Sequence, residues 1–279
     1  MENGGAALSF VPDLLAGRVA LVTGGGTGIG AGITRALAAH GADIVLASRR
    51  RKHLEPMAEA VEALGRGALV QEMDVREQED CEATVARTLE RFGRLDILVN
   101  NAAGNFLVRA AELSERGWRA VVDIVLNGTF NMSRAVYAAM RGAGGGSIIN
   151  ITTTYVRTGA PLMAHSGAAK AGVLNFTRSL AVEWGGDGIR VNAVAPGLVE
   201  GTEGSRRLAE SIGYVDEYLR QVPLERLTRT DDVAAAVLFL VSPAAQHVTG
   251  VEITVDGGAS LGGMFKSVVA GLEQIPRRG

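Results

Sequence analysis

The sequence predicts an α/β protein built on a single doubly wound parallel sheet of seven strands, with helices on both faces. Three observations carry this expectation. Short β-branched or aliphatic runs alternate with longer stretches whose apolar residues recur at three- and four-residue steps, the mark of repeated βαβ units. Several short runs are apolar throughout, as strands are when helices cover both faces of a parallel sheet. A glycine-rich turn follows the first run and opens a helix, at the end of the sheet where such folds bind ligands.

Strands are expected at Val19–Val22, Ile44–Leu46, Ala68–Val70, Ile97–Val99, Ser147–Ile151, Arg190–Val194 and Glu252–Val255. Helices are expected between them at Ile29–His40, Leu54–Leu64, Glu79–Phe92, Arg116–Met140, Ala164–Trp184 and Asp231–Leu240. Gly142–Gly146 and Gly185–Gly188 lead straight into strands, so they read as turns inside one domain spanning residues 1–279. Gly197 to Pro223 breaks the rhythm with mixed charge and weak periodicity, and is read as a lid over a ligand cleft. Residues 259–279 are read as a C-terminal tail.

Composition excludes several function classes. At 47% hydrophobic and 21% charged, the chain has too much apolar material to stay disordered. Lys and Arg number 28 against 30 Asp and Glu, a net charge of −2, so no positive field draws it to nucleic acid. The single cysteine, Cys81, allows no intramolecular disulfide, and the four histidines lack metal-ligand spacing, so no metal is expected. No apolar run approaches the roughly 18 residues of a membrane span, and Met1 to Gly17 lacks a secretory pattern. The C-terminal Pro276-Arg277-Arg278-Gly279 is not a peroxisomal S-K-L signal, and a soluble, cytoplasmic protein is expected.

The first turn reads Thr23-Gly24-Gly25-Gly26-Thr27-Gly28-Ile29-Gly30. Glycines there allow a tight turn and close approach of a pyrophosphate to backbone, while the helix N-terminus faces the anion. Gly24, Thr27, Gly28 and Ile29 are the candidate contacts of a Rossmann-like dinucleotide site. After the second strand, an acid would bind a ribose 2′-hydroxyl, but this chain has Ser48-Arg49-Arg50-Arg51-Lys52. A guanidinium suits a 2′-phosphate, so Ser48 and Arg49 point to NADP(H). Asp74-Val75 ends the third strand, with a carboxylate able to accept from an adenine amino group. Asn101-Ala102-Ala103-Gly104 ends the fourth with small residues.

Together these motifs resemble the short-chain dehydrogenase/reductase family. Lys170 on a long helix, Asn192 with Pro196-Gly197, and Asp256-Gly257-Gly258 extend the resemblance in family order from about Leu15 to Gly258. The family usually keeps a tyrosine four residues before the lysine, one helical turn away. Here that position is Ser166, and the family's asparagine on the preceding helix is Val125. The family's upstream hydroxyl position is filled by Thr153. With Asn100 to Phe106, Asp123 to Thr129, Ile151 to Tyr155 and Gly201-Thr202-Glu203-Gly204, these departures resemble one branch, the NADPH-dependent 2,4-dienoyl-CoA reductases.

That resemblance implies NADPH as cofactor, an acyl-CoA substrate and a homotetramer formed through the two long helices. It implies Tyr155, fifteen residues before Lys170, as proton donor, and Asn127 as the amide holding the thioester oxygen. Ser166 and Lys170 would fix the nicotinamide ribose and the substrate, with Pro196 and Gly197 at the cofactor and Asn105, Phe106 and Thr153 at the substrate. Arg206, with Arg109, Arg207 and Lys266, is a candidate for the phosphates of CoA. His165 reads as structural, with a possible polar contact at the substrate end. A trans-2-enoyl-CoA reductase, a 3-oxoacyl thioester reductase and a silent NADP(H)-binding protein remain alternatives at this point.

Overall fold

The computed structural model describes residues 10–208 and 213–261. Its seven strands are β1 (Val19–Thr23), β2 (Asp43–Ser48), β3 (Ala68–Glu72), β4 (Ile97–Asn100), β5 (Gly146–Ile151), β6 (Ile189–Pro196) and β7 (Glu252–Val255). They form one sheet in the order β3-β2-β1-β4-β5-β6-β7, parallel at every pairing. The order reverses between β1 and β4, which opens a crevice at the carboxyl ends of those strands.

Strand residues alternate between two cores, as a period of two requires. Ala20 and Val22 of β1 join Ile44, Leu46 and Val99 against one helical layer, in which Ile33 and Leu37 lie on α1 (Gly28–Ala39). Met57 and Val61 come from α2 (Glu55–Ala63), and Val233 and Val237 from α9 (Thr230–Val241). Val19 and Leu21 face the other way, toward Cys81 and Val85 of α3 (Gln78–Phe92). Met132 and Val136 of α5 (Gly128–Gly142), and Leu180 and Trp184 of α6 (Ala164–Trp184), complete that layer. Each fully buried aliphatic side chain contributes about 1.5–3 kcal/mol, so both layers hold the strand ends in place.

The helix expected over Arg116–Met140 is interrupted. It begins as α4 (Glu115–Val122), loosens into one π-helical turn at Asp123–Asn127, and resumes as α5. Gly128, directly after the turn, is pressed against Val75, where a Cβ would come 2.6 Å from Cγ2. A three- and four-residue apolar rhythm cannot report one inserted residue, so the sequence shows a single helix. Such turns are frequent at functional sites, and this one ends at Asn127.

The segment 197–223 is more ordered than its periodicity implies: it holds α7 (Glu203–Leu208) and α8 (Val215–Gln221), with 209–212 outside the described residues. Of the tail, Ala259–Leu261 forms a 3-10 turn; residues 262–279, Lys266 among them, lie outside the described residues. Among the described residues no helix is long and apolar enough to cross a membrane.

Candidate active site

The crevice begins at the glycine turn. Gly24 and Gly28 have φ of +66° and +52°, which L side chains rarely adopt. A Cβ at Gly30 would run into the carbonyl oxygen of Gly24 and lie 2.6 Å from Nδ2 of Asn101. Asn101 ties the turn to β4: its Nδ2 donates to the carbonyl oxygens of Thr23 at 2.9 Å and Gly24 at 3.3 Å. The hydroxyl oxygen of Thr23 accepts from the amides of Asn101 and Ala102, both at 3.0 Å. These bonds fix two strand ends with their small residues facing outward.

A cleft of about 230 Å³ is lined by Gly24, Thr27, Ser48, Arg49, Asp74, Val75, Asn101, Ala102 and Ala103, with Ala47, Met73 and Ile124. Gly28, Ile29, Gly104, Lys170, Pro196 and Gly197 do not line it. A larger cavity of about 560 Å³ lies at the end of β7 beside Arg157, Arg226 and Asp256, but none of the expected site residues lines it. The smaller cleft is thus the one that gathers expected cofactor residues. Arg49 is exposed at its rim. The guanidinium of Arg76 binds both carboxylate oxygens of Asp74, and this bond, with further help from Arg49, holds that carboxyl below its usual range.

The reaction end is made of side chains. The phenol oxygen of Tyr155, on the 3-10 turn Thr154–Val156, lies 2.9 Å from the hydroxyl of Ser166. One helical turn on, Lys170 is buried and its Nζ donates to the carbonyl oxygen of Ile151 at the end of β5. Burial pushes the Lys170 ammonium down to about 8. On the π-helical turn, Asn127 is exposed and donates one amide hydrogen to Asp123 at 2.9 Å. Asn105 donates to the sulfur of Met163 at 3.2 Å, and the Phe106 ring lies 4.5 Å from that of His165. Thr153 is half-buried at the start of the Tyr155 turn, and Arg206 is exposed on α7.

Over residues 24–260 the sequence matches the family described as Enoyl-(Acyl carrier protein) reductase. A peroxisomal 2,4-dienoyl-CoA reductase, (3E)-enoyl-CoA-producing, from Danio rerio is 47% identical over 256 residues, covering 90% of this chain and 84% of its own. One of the same name from Arabidopsis thaliana is 44% identical over 260 residues, covering 89% and 86%. A solved 3-ketoacyl-(acyl-carrier-protein) reductase from Brucella melitensis, complexed with NADH, matches at 31% identity and a TM-score of 0.82, over 88% of this chain and 98% of that one. The chain belongs to the short-chain dehydrogenase/reductase family. It is an oxidoreductase.

A nicotinamide dinucleotide is the cofactor of this family, and the residues present fit one. The turn leaves bare backbone where side chains at Gly24 or Gly30 would fill the space, and the helix N-terminus behind it suits a pyrophosphate. A Cβ at Gly28 would face Thr202 at 3.6 Å, so the segment after β6 comes over this turn. Farther along, the hydroxyl of Tyr218 on α8 accepts from the amide of Leu198 at 3.1 Å, fastening α8 beside Gly197.

Several residues that hold the site are not apparent in the sequence. Beneath it, Asn100 donates to Ser133 at 3.1 Å and Asn150 at 2.9 Å, and Asn150 donates to Thr177 at 2.9 Å. All four are buried, where unpaired amides would cost about 1–3 kcal/mol each. Asn131 donates to the carbonyl oxygens of Val75 and Arg76 at 2.9 and 3.1 Å. The only advance signal was polar residues inside apolar elements. His165 is fully buried, and neither ring nitrogen has a partner among the described residues. Burial holds its pKa below the usual range, which favours the neutral ring.

Proposed function

We propose that this oxidoreductase uses NADPH to reduce an unsaturated acyl-CoA, a 2,4-dienoyl-CoA, to a 3-enoyl-CoA, an auxiliary step in fatty acid β-oxidation. The observation that carries this reading is the pairing of Tyr155 with Ser166 above Lys170. The phenol comes from the turn after β5, and a serine stands where carbonyl-reducing relatives keep their tyrosine. The names of the Danio rerio and Arabidopsis thaliana relatives support it. Arg49 at the rim, with no acid beside it, supports NADPH over NADH.

NADPH, when bound, supplies a hydride that the conjugated diene accepts at its far carbon, C5. Charge then moves to the thioester oxygen as a dienolate. Asn127 keeps one amide hydrogen on Asp123 and has a second for that oxygen. Tyr155 gives its proton to the α carbon, which leaves the double bond at C3. The Ser166 hydroxyl stays on the phenol oxygen, and the Lys170 ammonium favours the tyrosinate. Asn105, Phe106 and Thr153 border the acyl chain, and Arg206 meets phosphate of the CoA. Arg207 is already paired with Glu203.

The same reading takes the chain as one domain, with 197–223 closing over the substrate. It also takes the assembly as a homotetramer joined through α5 and α6. Phe130 on α5 is 44% exposed and Val182 on α6 is 87% exposed, apolar surface that such an interface would cover. The cytoplasmic placement stays part of the proposal; both relatives are named peroxisomal, and cell fractionation decides.

The test follows NADPH absorbance with a 2,4-dienoyl-CoA and, separately, a 3-oxoacyl thioester, in D2O. Turnover of the dienoyl-CoA with deuterium at the α carbon is expected. Turnover of the 3-oxoacyl substrate alone, of neither, or deuterium at C4 contradicts the reading.

A further inference from the structure

The turn that presents Tyr155 is weakly bonded within itself. The bonds inside it, from Val156 to Thr153 and from Arg157 to Thr154, are both 3.4 Å long, at the limit of useful geometry, while the Tyr155 carbonyl oxygen accepts from the amide of Gly159 just beyond it at 2.8 Å. Both flanks of the turn are also held by one carboxylate about 100 residues away in sequence. On the N-terminal side, the hydroxyl of Thr152 donates to Oε1 of Glu252 at 2.6 Å. On the C-terminal side, the guanidinium of Arg157 donates to Oε2 of the same carboxylate at 2.7 Å. Tyr155 lies between these two anchors.

Glu252 is the first residue of β7, and its side chain is only 2% exposed. β7 pairs with β6, which pairs with β5, so the carboxylate reaches the end of β5 from across a strand. A buried carboxylate is a costly choice for a strand that an aliphatic residue would serve, and a buried ion pair is weak evidence of stabilisation. What this arrangement supplies is a fixed backbone on both sides of one tyrosine. Ser166 fixes the far end of the phenol, so backbone and hydroxyl are held by different elements.

We propose that Glu252 is a positioning residue for proton transfer, acting through Thr152 and Arg157 to set where the Tyr155 phenol meets the α carbon. The proposal rests on the reading of Tyr155 as donor. A misplacement of about 1 Å at a reacting group can cost about 10²-fold in rate, so a turn released at both ends should slow chemistry without weakening binding.

The experiment compares Glu252→Ala, Glu252→Gln, Arg157→Ala and Tyr155→Phe, and combines Glu252→Ala with Tyr155→Phe, in the full-length enzyme. For Glu252→Ala, kcat should fall about 10–100-fold, with KM for the dienoyl-CoA and the Kd of NADPH unchanged. Glu252→Gln keeps an acceptor for Arg157 and an amide for Thr152, and should restore most of kcat. On the Tyr155→Phe background, Glu252→Ala should cost nothing further, a coupling that a merely structural role would not produce. Should Glu252→Ala fail to fold, the exposed Arg157→Ala carries the test, with the same loss confined to kcat.

An unchanged kcat in a folded Glu252→Ala, or an equal further loss on the Tyr155→Phe background, overturns the positioning role alone. An unchanged kcat in Tyr155→Phe overturns both this proposal and the donor reading.

Discussion

Around β1 and β2 the site is made of backbone and glycine, whereas after β5 it is made of side chains on irregular turns. The Gly24–Gly30 turn needs only absent Cβ atoms and an amide from Asn101. The proposed reaction end uses Tyr155 on a 3-10 turn, Asn127 on a π-helical turn and Lys170 one helical turn from Ser166. A backbone site binds many members of one ligand class, because it reads a pyrophosphate shared by all of them. A side-chain site chooses the reaction, because the place of a proton donor sets which substrate atom it can reach.

This contrast predicts separable failures. After the loss of the Tyr155 phenol itself, the largest is expected from Asn127→Ala, which should lower kcat about 10²–10³-fold, the usual cost of one oxyanion donor, with NADPH binding unchanged by titration. Gly30→Ala should do the reverse. A Cβ forced against the Gly24 carbonyl costs about 1–3 kcal/mol, so fluorescence titration should show NADPH and NADH weakened alike, by about 10–100-fold. If kcat fell instead, the two ends would not be independent.

Arg49→Ala sharpens the comparison within the cofactor end. It should weaken NADPH by about tenfold, the lower end for a hydrogen bond to a charged group, and leave NADH untouched. Equal loss of both would remove the 2′-phosphate role. The effect smallest at neutral pH is one of titration. In the proposed mechanism Lys170 acts as an ammonium that favours the tyrosinate, and burial pushes that ammonium down to about 8, so kcat should halve there and fall about tenfold per pH unit above it. For stability the sign is opposite: burial penalises the charged form, so the penalty is present below about 8 and relieved as pH rises toward 10.5. A pH profile flat to 10 would contradict the role of Lys170.

How much of this was legible in sequence follows the same division. Gly24, Gly28 and Gly30 announce their turn because their spacing is local and lies between a strand and a helix. Ser166 and Lys170 are local too, four residues apart on one helix. The buried chain Ser133–Asn100–Asn150–Thr177 joins four elements, so no local pattern reports it. The clasp of Glu252 on Thr152 and Arg157 spans β5 to β7 and reads in sequence as an ordinary polar strand residue. Asn127 was found only through resemblance, since the π-helical turn that it ends leaves the apolar rhythm around it intact. Arg76 was missed because two residues after Asp74 in a loop looks like solvent-facing charge, until the carboxylate is seen in its grip.

The central claim is that the proton of the reduction comes from Tyr155, held apart from the cofactor end. Its most direct test is Tyr155→Phe, measured for dienoyl-CoA turnover and for NADPH affinity in the same preparation. The account predicts that turnover falls by about 10²–10⁴-fold while NADPH affinity stays at the wild-type value. Turnover within a few-fold of wild type, or a parallel loss of NADPH binding, would contradict it.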